Sequence, residues 1–261
     1  ICMALVGVEE WTRRGEAFSG YFGMFARLGP FEVRGNQVGR RKFLSGAPQW
    51  AAVPGAAALV LTSIAVTSFD GAQEGVLSGS IKWTFERSND LGSSLPDSFR
   101  IANTIWLIIT LAAVSGLYWL GVAGMHTVRG SPRVKELGRS FAHTLIPIAL
   151  AYLVAHYFSA FLYQEQAQFT YILSDPLGHG SDLFGTAGGG INYGIVSSNT
   201  VWYVQVAALV IGHVVALTLA HDRALSVYDN VRHASRSQYF MLAVMVAFTC
   251  FGLFLLSQAN A

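Results

Sequence analysis

FAHTLIPIALAYLVAHYFSAFLY, residues 141–163, runs for 23 residues without an Asp, Glu, Lys or Arg. At 1.5 Å per residue, such a run is long enough to cross the roughly 30 Å hydrocarbon core of a bilayer. Four more stretches share the property: 48–68, 101–125, 200–220 and 238–257. Five such runs in 261 residues do not fit a soluble core. The composition agrees, with 52% apolar and 12% charged residues where soluble domains carry about 25% charged. The expected fold is therefore all-α: a polytopic transmembrane helix bundle with five complete spans, forming one integral membrane domain over 1–261. Ile1–Val8 is apolar up to Glu9-Glu10 and lacks the basic n-region of a signal peptide. It reads as the end of a truncated amino-terminal span.

The charges lie in the connections, and their signs alternate. Connections 9–47, 126–140 and 221–237 hold 14 of the 17 Lys and Arg, whereas 69–100 and 164–199 hold three. The positive-inside rule puts the first three in the cytoplasm and the other two outside a plasma (inner) membrane. High hydrophobicity excludes disorder. Cys2 and Cys250 sit in distant apolar runs, so neither a disulfide framework nor a cysteine zinc motif is expected. A net charge of +2 gives no reason to expect nucleic acid; the expected partner is the lipid bilayer.

Within 9–47, Phe18, Tyr21, Phe22, Phe25 and Leu28 recur at helical spacing. They predict a cytoplasmic interfacial helix that Pro30 ends, followed by the basic Arg40-Arg41-Lys42 cluster. Asp70-Gly71 reads as a turn just past a span. The stretch 164–199 is long, glycine-rich and still carries Phe169, Tyr171, Leu177 and Phe184, so an ordered external loop is expected.

Polar groups inside spans are costly and tend to mark sites. Tyr152, His156, Ser159 and Tyr163 step by four, three and four along one helix face, and Pro147 below them permits a kink. Counting depth sorts the candidates into two layers. The outer layer holds Asp70, His156, Gln164, Glu165, Asp175, His179 and Asp182. In it His156, His179 and Asp70 are candidate ligands for a divalent metal such as zinc, and His156, Asp175 and Asp182 are candidate catalytic groups. Asp175 to Asp182 has equally the Asp-Pro and Gly punctuation of plain turns. The competing inner layer holds His126, His143, His221 and Asp222, with His233 nearby.

Several strings go beyond spacing: TSFDG (67–71), VAHYFSAFLYQEQA (154–167), LSDPLGHGSDLFGT (173–186) and VWYVQVAALVIGHVVALTLAHDRAL (201–225), with RGEAFSGYFGMFARLGP (14–30) in the first connection. Together they resemble a family of bacterial multi-pass membrane proteins named fenitrothion hydrolases. The resemblance covers most of the chain and is strongest from about 140 to 226. It implies hydrolysis of a phosphorothioate triester and assigns no residue a role. The family's opening, an Ala-His-Gly before a first span, has no counterpart in these residues.

Three functions compete. The first is a membrane-embedded hydrolase of a lipophilic ester or phosphotriester, possible for a metal-bound water. The second is an accessory or scaffold subunit that needs partner subunits in a larger membrane metal or redox complex. The third, a transporter or channel, has neither paired broken helices nor an internal repeat in its favour.

Overall fold

The computed structural model describes residues 2–50, 55–73 and 75–259. The described part contains ten α-helices and one small hairpin: α1 Cys2–Val6, α2 Val8–Arg14, α3 Ala17–Ala26, β1 Phe31–Arg34, β2 Gln37–Arg40, α4 Ala56–Gln73, α5 Ser78–Asp90, α6 Leu95–His126, α7 Val134–Phe141, α8 Ile146–Tyr163, α9 Ser198–Val227 and α10 Val231–Ala259, with short 3₁₀ turns at Ala47–Gln49 and Ala142–Leu145 and a π-helical turn at Gln168–Ile172. The all-α membrane bundle is what the structure shows. Among the described residues, five segments are long and apolar enough to cross a membrane: α4, α6, the run Val134–Tyr163, α9 and Val231–Phe254. Their outward-facing side chains, such as Ile108, Phe161 and Ile211, are large, apolar and exposed, as a surface bathed in lipid requires.

Capping residues begin the two helices that run away from the 69–100 and 164–199 connections. Ser94 accepts a hydrogen bond from the Asp97 amide at the start of α6, with Pro96 in its first turn. Ser197 does the same for the Thr200 amide at the start of α9. Each satisfies one of the amide groups that a helix start leaves unpaired. We call this end of the bundle the loop end and the opposite one, bearing 126–140 and 221–237, the basic end.

The helices meet at small residues. A Cβ on Gly212 of α9 would lie 2.3 Å from Ala151 Cβ and 2.9 Å from the Pro147 carbonyl oxygen of α8. Gly124 of α6 stands equally close to Phe240 of α10. Between these seams lies an apolar core that includes Val60, Val122, Phe141, Ile146, Ala216 and Met241. At the basic end, Tyr118 donates to the Gly138 carbonyl and Tyr228 to the Met125 carbonyl, closing the ends of α6, α7 and α9 on one another.

Three expectations are corrected. The span at 48–68 begins later, at Ala56, and continues to Gln73 (positions 51–54 lie outside the described residues). Asp70-Gly71 is therefore helix and not turn, because Asp70 is held at i+3 by Gln73 and from α8 by His156. Pro147 stands in the first turn of α8, where its missing N–H costs nothing, directly after the 3₁₀ turn at Ala142–Leu145 that interrupts the run Val134–Tyr163. The connection 9–47 holds more than a helix, since β1 and β2 pair antiparallel with Val33 opposite Val38. Gly35 at φ +59° supplies the first central residue of their two-residue turn, the position at which a type II′ hairpin favours glycine.

The interfacial helix itself is present. Both carboxylate oxygens of Glu16 accept amide hydrogens at the start of α3, from Phe18 and Ser19, and the bonds to Ser19 followed by that to Phe18 hold its carboxyl below the usual range. Tyr21, Phe25 and Leu28 pack on the core while Phe18 and Phe22 stay exposed. Arg41 folds back beneath α3: its Nη1 donates to the Arg27 carbonyl (3.0 Å) and its Nη2 to Phe31 (3.1 Å). That side chain is only 8% exposed and also faces Glu32. One arginine of the expected basic cluster is thus a bracket between helix and hairpin.

Candidate functional site

Asp70 and His156 meet across the interface of α4 and α8. His156 Nε2 lies 2.7 Å from Asp70 Oδ2. An ionised carboxylate only accepts, so Nε2 carries the proton and Nδ1 holds the lone pair of the neutral ring. Asp70 Oδ1 accepts a second bond from Gln73 Nε2 at 2.8 Å, which fixes the carboxylate from its own helix. The edge of Tyr157 supports the imidazole, with ring centroids 4.6 Å apart at 82°, and Asp70 acts electrostatically on the Tyr157 hydroxyl. A Cβ on Gly71 would sit 3.6 Å from His156 Nδ1, an ordinary van der Waals contact, so α4 passes close to that nitrogen. Among the described residues, Nδ1 has no hydrogen-bond partner. Side-chain exposures of 27% for His156 and 39% for Asp70 keep the pair in reach of a molecule arriving from the loop end.

The polar face of α8 divides. Tyr152 points inward, with its ring 6.3 Å from His213 and 5.6 Å from Phe248. His156 turns to α4, and Tyr163 donates to the Val196 carbonyl of the loop at 3.0 Å.

The loop carboxylates do something else. Asp175 accepts the amides of His179 (2.9 Å) and Gly180 (2.7 Å) and the Ser181 hydroxyl (2.8 Å). Asp182 accepts the Ser174 hydroxyl and the amides of Thr186 and Ala187. Both carboxyls are held below their ordinary range, the hydroxyl of Ser181 being the largest cause for Asp175 and that of Ser174 for Asp182. His179 contributes its backbone, and its ring is exposed. Among the described residues, none of the three makes a polar contact with Asp70 or His156. The outer layer thus resolves into one pair on the helices and two loop fasteners.

The inner candidates are dispersed as well. His126 Nδ1 meets the Pro132 carbonyl (2.8 Å), His221 Nδ1 meets Gln238 Oε1 (2.9 Å), and Asp222 and His221 are exposed. His143 is buried in the 3₁₀ turn before α8, and His233 stands half-buried on α10. Among the described residues, no three His, Cys, Asp or Glu side chains gather as a metal ion requires. The expected zinc set of His156, His179 and Asp70 supplies two neighbours and no third, so the residues do not fit a self-contained metal centre.

Gln73 and Tyr157 were not legible as site residues, although the i, i+3 spacing of Asp70 and Gln73 is a signal once 70–73 is read as helix. Compared with known family models, curated proteins and solved structures, the chain matches none.

Proposed function

We propose that the protein is a membrane-embedded hydrolase of a lipophilic ester or phosphotriester, working from the loop end of the bundle, which the distribution of Lys and Arg turns outward. The observation that carries the proposal is the 2.7 Å Asp70–His156 contact, with no hydrogen-bond partner on Nδ1 among the described residues. Asp70 orients the imidazole and stabilises the cation that forms when Nδ1 accepts a proton. A water held at Nδ1 loses that proton as its oxygen bonds to phosphorus or to a carbonyl carbon. The bond to the leaving oxygen then breaks, and the imidazolium returns the proton to it. Apolar substrates concentrate in a bilayer, so a base at a helix–helix interface near one membrane surface meets them there. The family resemblance supports the same substrate class.

Purified full-length protein in lipid nanodiscs should hydrolyse a phosphorothioate triester, with and without a chelator, and His156→Ala should abolish turnover. Turnover equal to that of buffer, or unchanged in His156→Ala, overturns the proposal. Its sidedness is tested by cysteine labelling in intact cells: an impermeant reagent should modify a cysteine at Gly180 and leave one at Gly130.

A second function, subunit of a larger membrane complex, is favoured by α5 and the start of α6. The 32 residues of α6 extend about 48 Å, well beyond a bilayer core, and Trp83, Leu91, Leu95 and Phe99 are exposed there. Stoichiometric co-purification of a partner, lost on Trp83→Glu, would support it; a monodisperse single chain from native membranes would count against it.

A further inference from the structure

An apolar groove of about 300 Å³ opens on the outside of the α8–α9 seam. Its floor is the close contact of Gly212 with Pro147 and Ala151, and the exposed side chains of Val154 and Ile211 stand beside it. Phe43 and Leu44, from the connection before α4, line it as well. On α8 the lining runs from Pro147, at the basic end, to Val154, a rise of about 10 Å. The hydrocarbon of one leaflet is about 15 Å deep, half of the bilayer core. The groove therefore starts near the basic end and follows a single leaflet. His156 lies two residues past Val154, about 200° round the helix, and turns to α4. The groove is thus on the opposite face of α8 from the Asp70–His156 pair.

The hairpin sets charge at its mouth. Val33 pairs with Val38 and Phe31 with Arg40, so these four side chains share one face, since cross-strand partners and alternate residues point the same way. Phe31, Val33 and Val38 are exposed, and Phe43, just past β2, is 83% exposed although it lines the groove. An apolar surface of this kind needs lipid or protein against it, and Arg40 within it needs an anion. Glu32, the single acid between residues 17 and 69, belongs to the other face and is engaged by Arg34 and Arg41. Arg40 and Lys42 are exposed and make no ion pair among the described residues. Leu44 holds φ +61°, where a bulky side chain is an outlier, so the turn that brings Phe43 and Leu44 to the groove is kept in spite of local strain.

We propose that the groove binds an anionic phospholipid of the leaflet at the basic end. One acyl chain lies along Val154 and Ile211 against the Gly212 seam, and Arg40 and Lys42 hold the phosphate. A transmembrane helix of another protein would seek contact along the whole core of roughly 30 Å, about three times the length of the groove. A single chain with one anionic end matches both the length and the charge. The site stands whether or not the Asp70–His156 pair is hydrolytic.

Photo-crosslinking in phosphatidylcholine nanodiscs tests it, with a minor fraction of phosphatidylglycerol that carries a diazirine in one acyl chain. This probe should label peptides bearing 147–154 and 208–215 several-fold more than the exposed surface of α6 around Ile105 and Ile108. Unlabelled phosphatidylglycerol should compete, and unlabelled phosphatidylcholine should not. Uniform labelling round the bundle, or equal labelling by a diazirine phosphatidylcholine, means bulk lipid only and overturns the proposal. Silence of both peptides, the result if a partner helix fills the groove, overturns it too. Competition by a phosphorothioate triester and not by phosphatidylglycerol would make the groove a substrate path, with the same consequence. Arg40→Gln and Lys42→Gln should each lower the preference for phosphatidylglycerol about fivefold, whereas Arg34→Gln, on the other face of the hairpin, should leave it unchanged. An undiminished preference in the Arg40→Gln, Lys42→Gln double variant also overturns the proposal. If a variant fails to fold, the labelling pattern of the unaltered protein still decides.

Discussion

Asp70 and the pair Asp175 and Asp182 are the same residue type at the same end of the molecule, yet they are used in opposite ways. The loop carboxylates are filled by amides and hydroxyls from their own surroundings, which is how a glycine-rich segment without helix or strand satisfies its backbone. Asp70 sits in a helix, where backbone amides are already paired, so its carboxylate is left for side chains and finds His156. A carboxylate on regular structure is free for chemistry; one in an irregular loop is usually taken up in holding the loop together.

Exchanging the charges breaks the comparison most severely if it is wrong. Asp70→Asn should lower kcat for triester hydrolysis by about 10²–10⁴-fold, the usual worth of a general base, while Asp175→Asn should leave kcat near its original value. Equal losses in the two variants would mean that the loop takes part in the reaction. Next in size is the frame that holds α8 in place. Gly212→Ala should destabilise the protein by about 1–3 kcal/mol, because the added methyl meets Ala151 and the Pro147 carbonyl in a packed seam. Denaturation of the two proteins in detergent measures it, and an unchanged midpoint would contradict the tight α8–α9 contact.

The loop fasteners predict a smaller, local effect. Asp182→Ala should speed amide hydrogen exchange at Thr186 and Ala187 and open the loop to protease, without moving the global unfolding midpoint. Smallest is the pH effect. Asp175 and Asp182 have carboxyls lowered on folding, so their stabilisation is fully present above the ordinary carboxylate range near 4 and is lost as pH falls through the lowered values. Exchange protection of residues 179–187, corrected for intrinsic rates, should therefore hold at neutral pH and decline only in acid. A decline already at neutral pH would contradict the role of these two carboxyls and erase the distinction from Asp70.

The spans were legible because hydrophobic length is a one-dimensional property: residues 141–163 and 200–220 declare themselves with no knowledge of neighbours. Asp70-Gly71 misled for the opposite reason. Its turn signal is local, and the partner that keeps it helical, His156, is 86 residues away. The hairpin could have been found, since Phe31 and Val33 alternate with polar residues before Gly35-Asn36, a two-residue turn signature. Nothing in the sequence distinguishes Arg41 from Arg40, though the former is buried under α3 and the latter is exposed. For the site, His156 was legible from its polar helix face and its depth and Asp70 from depth, while the choice of Asp70 over Asp175 and Asp182 needed three-dimensional positions.

The contact of Gly212 with Ala151 and Pro147 has a mechanical consequence. Ala151 Cβ and the Pro147 carbonyl leave no room for a side chain at position 212, so α8 and α9 lie closer there than larger residues would allow. The close seam ties the position of α9 to that of α8, the helix that carries His156. On the proposed function, a movement of α4 away from α8 would separate Asp70 from His156 and leave the imidazole without the carboxylate that orients it.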